Sequence, residues 1–509
     1  MEKLYNNIIL EDDFRNSISD AQAVPYLQQP PAVIDVTVGR QLFVDDFLIE
    51  KTDLTPEYHK PEDYEGNPVL QAETPWEIAQ APVACPKSGG VWYDEEEKIF
   101  KMWYEAGWLR HSAYATSTDG INWERPDVGV VEGTNIILPY EGYDDRRYTG
   151  EGDLAYLRPD SNTVWIDYDA PADERYKLFM RNPGGPYGGH VAVSADGIHF
   201  TGWRQTPPLN DRSTMFYNPF RKKWVYSIRD EWDGGKRCRR YRECNDFVAG
   251  SSWEEGEALP WMKADSLDKP NPYIGMEPEL YNVDAVGYES IMLGLFQTYY
   301  GPTNQTCADG GMPKITGLQF MYSRDGYHFS RPCREDAIQS HMHRGAWNRG
   351  YVQSVGGVTV IHGDELWIYY IAFAGDESHA GETTARNGMY CNGATGLAKL
   401  RRDGFVSMNG DGTLLTRPLV FTEKESFHIN AVGSVQVEIL LPDGTLLGTS
   451  QTFEGDSCCA RLDFDGLDIA SLNGKPVRLR FRVNGKLYAF GFADKNGDFG
   501  GAHAAGMVE

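Results

Sequence analysis

Basic residues are scarce in this chain. Lys and Arg number 48 against 74 Asp and Glu, for a formal charge of -26. That balance argues against a nucleic-acid partner, because phosphates are neutralised by Lys and Arg. Long apolar runs are also missing, so no segment reads as a membrane span and no membrane partner is expected. The first residues, Met1 to Gln29, carry charges and lack an apolar centre. They read as an arm or a homo-oligomer contact rather than a signal peptide. The eight Cys are scattered and show neither a disulfide framework nor a CxxC metal spacing. Reduced thiols and a cytoplasmic location fit that usage. His341 and His343 have no third ligand at a useful spacing, so neither a metal nor another cofactor is expected.

Turn residues and aromatics are plentiful: 54 Gly, 28 Pro and 13% aromatic content. One turn repeats. It reads Ser117-Thr-Asp119-Gly120-Ile-Asn-Trp123, then Ser194-Ala-Asp196-Gly197-Ile-His-Phe200, then Ser323-Arg-Asp325-Gly326-Tyr-His-Phe329. A degraded copy holds Asp246 and Phe247, and a fifth holds Asp403-Gly404-Phe405. The aspartates step by 77, 50, 79 and 78 residues, which marks one supersecondary unit built five times. Asp-Gly favours a tight turn, since Gly tolerates positive φ and Asp bonds its own backbone. Before each copy lie short β-rich runs, such as Ile99-Phe-Lys-Met-Trp-Tyr104 and Glu365-Leu-Trp-Ile-Tyr-Tyr370. Three strands before the turn and one after it describe a four-stranded antiparallel sheet. Five such sheets set radially make a β-propeller.

The rhythm changes near residue 415. Val477-Arg-Leu-Arg-Phe-Arg-Val483 alternates apolar with Arg, as a half-buried strand does. The chain is therefore expected to be all-β: an arm at 1–34, a five-bladed β-propeller at 35–412 and a C-terminal β-sandwich at 415–509. Arg40 to Glu50 is expected to supply a strand that closes the ring.

The turn copies, Met276-Glu277-Pro278-Glu279-Leu-Tyr281 and the C-terminal Gly474-Lys-Pro-Val-Arg-Leu-Arg-Phe481 together resemble the furanosidase-type glycoside hydrolases of families 32, 43 and 68, and propeller relatives such as family 130. The Asn-Asp-Pro-Asn-Gly motif of family 32 and the Arg-Asp-Pro triplet are absent. The resemblance implies a glycosidase acting on a short oligosaccharide, at a furanoside such as fructose or arabinose. Its alternatives are an inverting phosphorylase using inorganic phosphate and a non-catalytic sugar-binding propeller.

Glycoside cleavage needs two carboxyl groups across the scissile bond. The expected place is the end of the axis where the inner strands begin. Glu277 stands where the resemblance puts a general acid, with Met276 and ring carbons expected to raise its proton affinity. Asp211 matches a second carboxylate. Asp45, Asp46 and Glu105 are further catalytic candidates, and Lys87 accompanies Glu105 in the first blade. Substrate contacts are expected from Arg229, Trp103, Trp347, Asn348, Arg349, Glu279, Gln297, Gln353 and His343. Gly150-Glu151-Gly-Asp153 reads as an acidic loop, and His190 as a packed histidine.

Overall fold

The computed structural model describes residues 1–12, 14, 24–79, 81–139, 160–181, 188–232, 235–254, 256–382 and 388–508. Strands dominate, and the longest α-helix among the described residues is Asn304–Gly310. None of these helices is long and apolar enough to cross a membrane.

Five antiparallel blades form the larger part. Blade 1 runs from Ala84–Cys85 and Val91–Asp94 through Ile99–Ala106 and His111–Ser117 to Ile136–Leu138. Blade 2 is Asp160–Ile166, Tyr176–Arg181, Gly189–Ser194 and Thr201–Gln205. Blade 3 is Thr214–Asn218, Lys223–Trp232, Lys236–Cys244 and Leu259–Lys263. Blade 4 is Glu279–Glu289, Ile291–Gly301, Ile315–Ser323 and Ile338–Gln339. Blade 5 starts with Gly350–Ser354 and Val360–His362, then Glu365–Phe373 and Gly393–Arg401. Its outer strand is Glu62–Asp63, paired through Lys399 and Ala398, so the ring closes with chain from before blade 1.

The closing strand was expected from Arg40 to Glu50, and the structure corrects this. Gln41–Leu42 pairs with Ala489 and Phe490, and Ile49–Thr52 pairs with Leu414, Leu415 and Thr416. The reason is apolar burial. Phe43, Phe47 and Leu48 sit in a second core with Phe427, Phe481 and Phe490. That core is enclosed by an eight-stranded antiparallel sheet built on Ser426–Leu440 and Arg478–Ala493, which pair along their whole length. The Arg alternation shows there: Leu479, Phe481 and Val483 are buried, while Arg478, Arg480 and Arg482 reach outward.

Each clear copy of the repeated turn joins the third and fourth strands of its blade. Ser117 Oγ accepts from Gly120 N at 2.9 Å, and Asp119 Oδ1 accepts from Ile121 N and Asn122 N at 2.9 and 2.8 Å. Ser194–Asp196 and Ser323–Asp325 repeat these bonds. The glycines sit at φ of 72°, 75° and 80°, where a Cβ would be strained. These turns also lock neighbouring blades. Tyr369 Oη donates to Gly120 O at 2.7 Å, Trp103 Nε1 to Gly197 O at 2.7 Å and Trp261 Nε1 to Tyr327 O at 2.8 Å.

Candidate functional site

At one end of the axis the inner strands share an irregularity. Lys87 in blade 1 has φ 46°, Ser161 in blade 2 has 55°, Arg212 before blade 3 has 62° and Tyr351 in blade 5 has 52°. Blade 4 slips register between Leu280 and Asn282 instead. Left-handed backbone costs a non-glycine residue roughly 1–3 kcal/mol and clusters at functional sites. Bulges of this kind re-aim side chains. Second strands end and third strands begin at the same end of each blade. Arg181 and Arg229 therefore join Asp160, Asp211 and Arg212, together with Arg237, Lys314 and Tyr390.

These residues line a cavity of about 440 Å³ to which all five blades contribute. In a chain of strong negative charge, the described residues of its wall include five cations, Arg181, Arg212, Arg229, Arg237 and Lys314, and two carboxylates, Asp160 and Asp211. Asp160 is buried. Its oxygens lie 3.0 Å from Arg181 Nη1 and 3.8 Å from both Lys87 Nζ and Arg212 Nη2. Burial opposes its ionisation, but Arg212, Lys87 and Arg181 outweigh it and hold the carboxyl at about 2. Asp211 differs: its side chain is 41% exposed and lies 3.3 Å from Arg229 Nη1. Behind the wall, Glu105 contacts Lys87 Nζ and accepts from Leu109 N at 2.6 Å. Burial pushes Glu105 up and, with Arg212's repulsion, Lys87 down. Glu105 thus has the raised proton affinity of a buried acid, and Asp160 that of a permanent anion.

Aromatic rings complete the wall. Trp108 stacks on Tyr390 with centroids 3.8 Å apart, and Lys87 Nζ lies 3.9 Å from the Trp108 ring centroid. Lys314 Nζ donates to Tyr281 Oη at 2.7 Å. Burial alone would raise the Tyr281 phenol; the Lys314 charge and hydrogen bond together with the Arg212 charge outweigh it and leave the phenol below its usual range. Below the cavity, the axis is filled by buried polar groups. Asp284 accepts from Asn282 Nδ2 at 2.8 Å and, in a shorter contact, from Ser354 Oγ close to it, and burial lifts its carboxyl to about 6.

Asp211, Arg229 and Glu105 are thus brought together at the mouth, Glu105 from behind Lys87. Glu279 reaches the mouth only through Arg237, accepting from its Nη1 at 2.7 Å, and itself lines the cleft that holds Glu277. Other candidates stand elsewhere. Glu277, expected in an apolar wall, is exposed and lies in a separate cleft with Lys236 and Ala264, because the inner strand starts only at Glu279. Asp45 is held by Arg324 at 2.9 Å, and Asp45 and Asp46 line another groove, with Trp261 and Phe329. Trp103 is buried between blades 1 and 2, bonded to Gly197. Trp347 packs on Tyr370, Asn348 is buried and accepts from His341 N through its carbonyl, and Arg349 pairs with Glu377 at 3.1 Å. Gln297 Nε2 donates to Val352 O and Gln353 Nε2 approaches Ser88 Oγ, both within the blades' interior. His343 is exposed and His190 buried. Gly150 to Asp153 lies outside the described residues. No cluster of three metal-binding side chains occurs among the described residues.

Sequence reasoning missed Asp160, Arg181, Arg212, Arg237 and Lys314. Asp160 had a signal, an acidic residue just ahead of Thr163-Val-Trp-Ile166, and Arg212 is the direct neighbour of Asp211. Arg181, Arg237 and Lys314 had only their places at strand ends.

No family model matches this chain, and no curated protein matches its sequence. Among solved structures it is similar to an N-acetylgalactosamine deacetylase from F. plautii in complex with blood group B trisaccharide. That match has 14% identity, covers 70% of this chain and 96% of that one, and has a TM-score of 0.42. It is similar to a β-1,2-mannobiose phosphorylase from Listeria innocua at 11% identity, covering 67% and 96% of the two chains with a TM-score of 0.41. It is also similar to a family 32 β-fructofuranosidase from Bombyx mori at 11% identity, covering 89% and 95% with a TM-score of 0.36. The likeness is one of distant overall architecture and carries neither reaction nor substrate across to this chain.

Proposed function

We propose that the protein is a glycoside hydrolase that cleaves a short oligosaccharide at the propeller mouth. One observation carries the reading: two carboxylates of opposite character, sealed Asp160 and accessible Asp211, face one cavity of about 440 Å³. Paired carboxyl groups are what glycosidic cleavage requires. Asp211 is the group a leaving oxygen or a water can reach, and it exchanges the proton. Asp160 stays ionised and faces the developing positive charge on the sugar. Glu105 positions Lys87, which in turn fixes Asp160. Tyr281 and Tyr390 offer the ring surface on which a sugar lies. The cavity volume suits one or two sugar units, and furanosides of the fructose or arabinose type are the substrates we assign first. Eight free cysteines fit a reducing compartment.

The cation excess favours a second reading, a phosphorylase in which inorganic phosphate is the attacking group. Aryl furanosides and pyranosides assayed with and without phosphate separate the two, since only the phosphorylase yields a sugar phosphate. Asp211→Asn is expected to lower kcat about 10²- to 10⁴-fold, as loss of a proton-transfer group does. Undiminished turnover in that variant overturns the assignment.

A further inference from the structure

The five cations of the mouth are not equivalent. Arg181, Arg229 and Arg237 each have a carboxylate within salt-bridge distance: Asp160, Asp211 and Glu279. Arg212 has only a share of Asp160, and Lys314 pairs with no carboxylate among the described residues. Arg212 is 4% exposed, and neither its Nε nor its Nη1 finds a hydrogen-bond partner among the described residues. Its nearest carboxylate, Asp160, is 3.8 Å away and already bonded to Arg181. Lys314 is 3% exposed, bonds the Tyr281 hydroxyl, and forms no ion pair with a carboxylate among the described residues. Both cations flank one ring: the Arg212 guanidinium carbon and Lys314 Nζ each lie 5.7 Å from the Tyr351 centroid.

Asp160 is shared among Arg181, Lys87 and Arg212, Lys314 is met by a phenol rather than a carboxylate, and the two unbonded Arg212 N–H groups carry a desolvation cost. An anionic ligand would supply the missing charge and accept from those N–H groups. The cavity wall beside Lys314 is aromatic, with Tyr281 and Tyr390 lining it within cation–π range of Lys314. Aromatic faces accept sugar rings, so an oxyanion delivered there is best carried on a ring. We infer that Arg212 and Lys314 form an oxyanion seat, and that the glycan taken by this protein bears, on the unit next to the furanoside, a carboxylate or sulfate group bound in it. The inference rests on the proposed binding of a glycan at the mouth. It adds the acidic class of that glycan.

The test is calorimetric titration of the full chain with a methyl glucuronide, a sulfated methyl galactoside, inorganic phosphate and a neutral methyl glucoside. The acidic sugars are expected to bind, the neutral one far more weakly, and added NaCl to weaken only the former. Arg212→Met and Lys314→Met are each expected to weaken acidic-sugar binding about 10- to 100-fold, the worth of one charged hydrogen bond. Lys314→Arg is expected to retain most of it. Circular-dichroism melting checks that each variant folds. Equal binding of acidic and neutral sugars overturns the seat, as does unchanged acidic-sugar binding in two folded Met variants. Binding of phosphate alone overturns the placement of the oxyanion on the sugar. Binding needs no turnover, so the two readings fail separately. Acidic-sugar binding without cleavage of any glycoside removes the hydrolase and leaves the seat. Cleavage of neutral aryl glycosides without preferential anion binding does the reverse.

Discussion

Replacing Asp160 by Asn tests the electrostatics of the mouth most directly. Asp160 is 3% exposed and its carboxyl is held at about 2 rather than the ordinary 3.8. Each pKa unit is worth about 1.4 kcal/mol, so the surrounding cations stabilise the folded state through this ionised carboxyl by about 2–3 kcal/mol. The sign follows from the depressed value. The contribution is complete above the unfolded pKa and is lost as pH falls toward the folded one. Asp160→Asn should therefore lower unfolding free energy at pH 7 by about 2–3 kcal/mol. The gap between wild type and variant should close on acidification, with about half of it gone by roughly pH 3. Urea denaturation of both proteins at several pH values from 7 to 3 measures this. A variant as stable as wild type at pH 7 would refute the reasoning. So would a gap that does not change with pH, since that would mean packing rather than charge is lost.

Asp45→Asn breaks a buried pair with Arg324 and should cost about 3–5 kcal/mol in denaturant unfolding. Turnover per folded molecule should stay unchanged, and a selective loss of kcat would restore Asp45 as a catalytic group. Gly197→Ala places a Cβ 2.7 Å from the Trp103 ring at a φ of 75°. It should lower stability by about 1–3 kcal/mol through strain and overpacking, visible as a fall in Tm.

The fold was legible because its signal is local and repeated. The turn bonds depend on two side chains, Ser117 and Asp119, two residues apart and followed by Gly120, and Asp196 and Asp325 repeat them. The C-terminal sheet showed in the Arg alternation at 478–482. The ring closure was not legible, because Glu62–Asp63 is too short and too exposed to carry a strand pattern. The segment chosen in its place has the apolar text of a strand, but Phe43 finds its partners, Phe481 and Phe490, more than 430 residues away. Asp211, Arg229 and Glu105 could be found because they stand beside strand starts and ends. Glu277 misled because Pro278 and Leu280 frame it like a strand entrance, although the sheet begins two residues later. The surplus of cations could not be read at all. It arises only when five chain segments meet, and a composition so rich in carboxylates masks it.

The left-handed residues at the tops of the inner strands have a consequence for how such a mouth changes over time. Lys87, Ser161, Arg212 and Tyr351 occupy like positions in four blades, yet they differ in charge, size and polarity. The backbone bend is thus a socket that accepts unrelated side chains without asking the blade to refold. One socket can be re-equipped while the other three keep their geometry. New specificities are then one substitution apart, and the shared price is a modest conformational strain that the interlocked ring already tolerates.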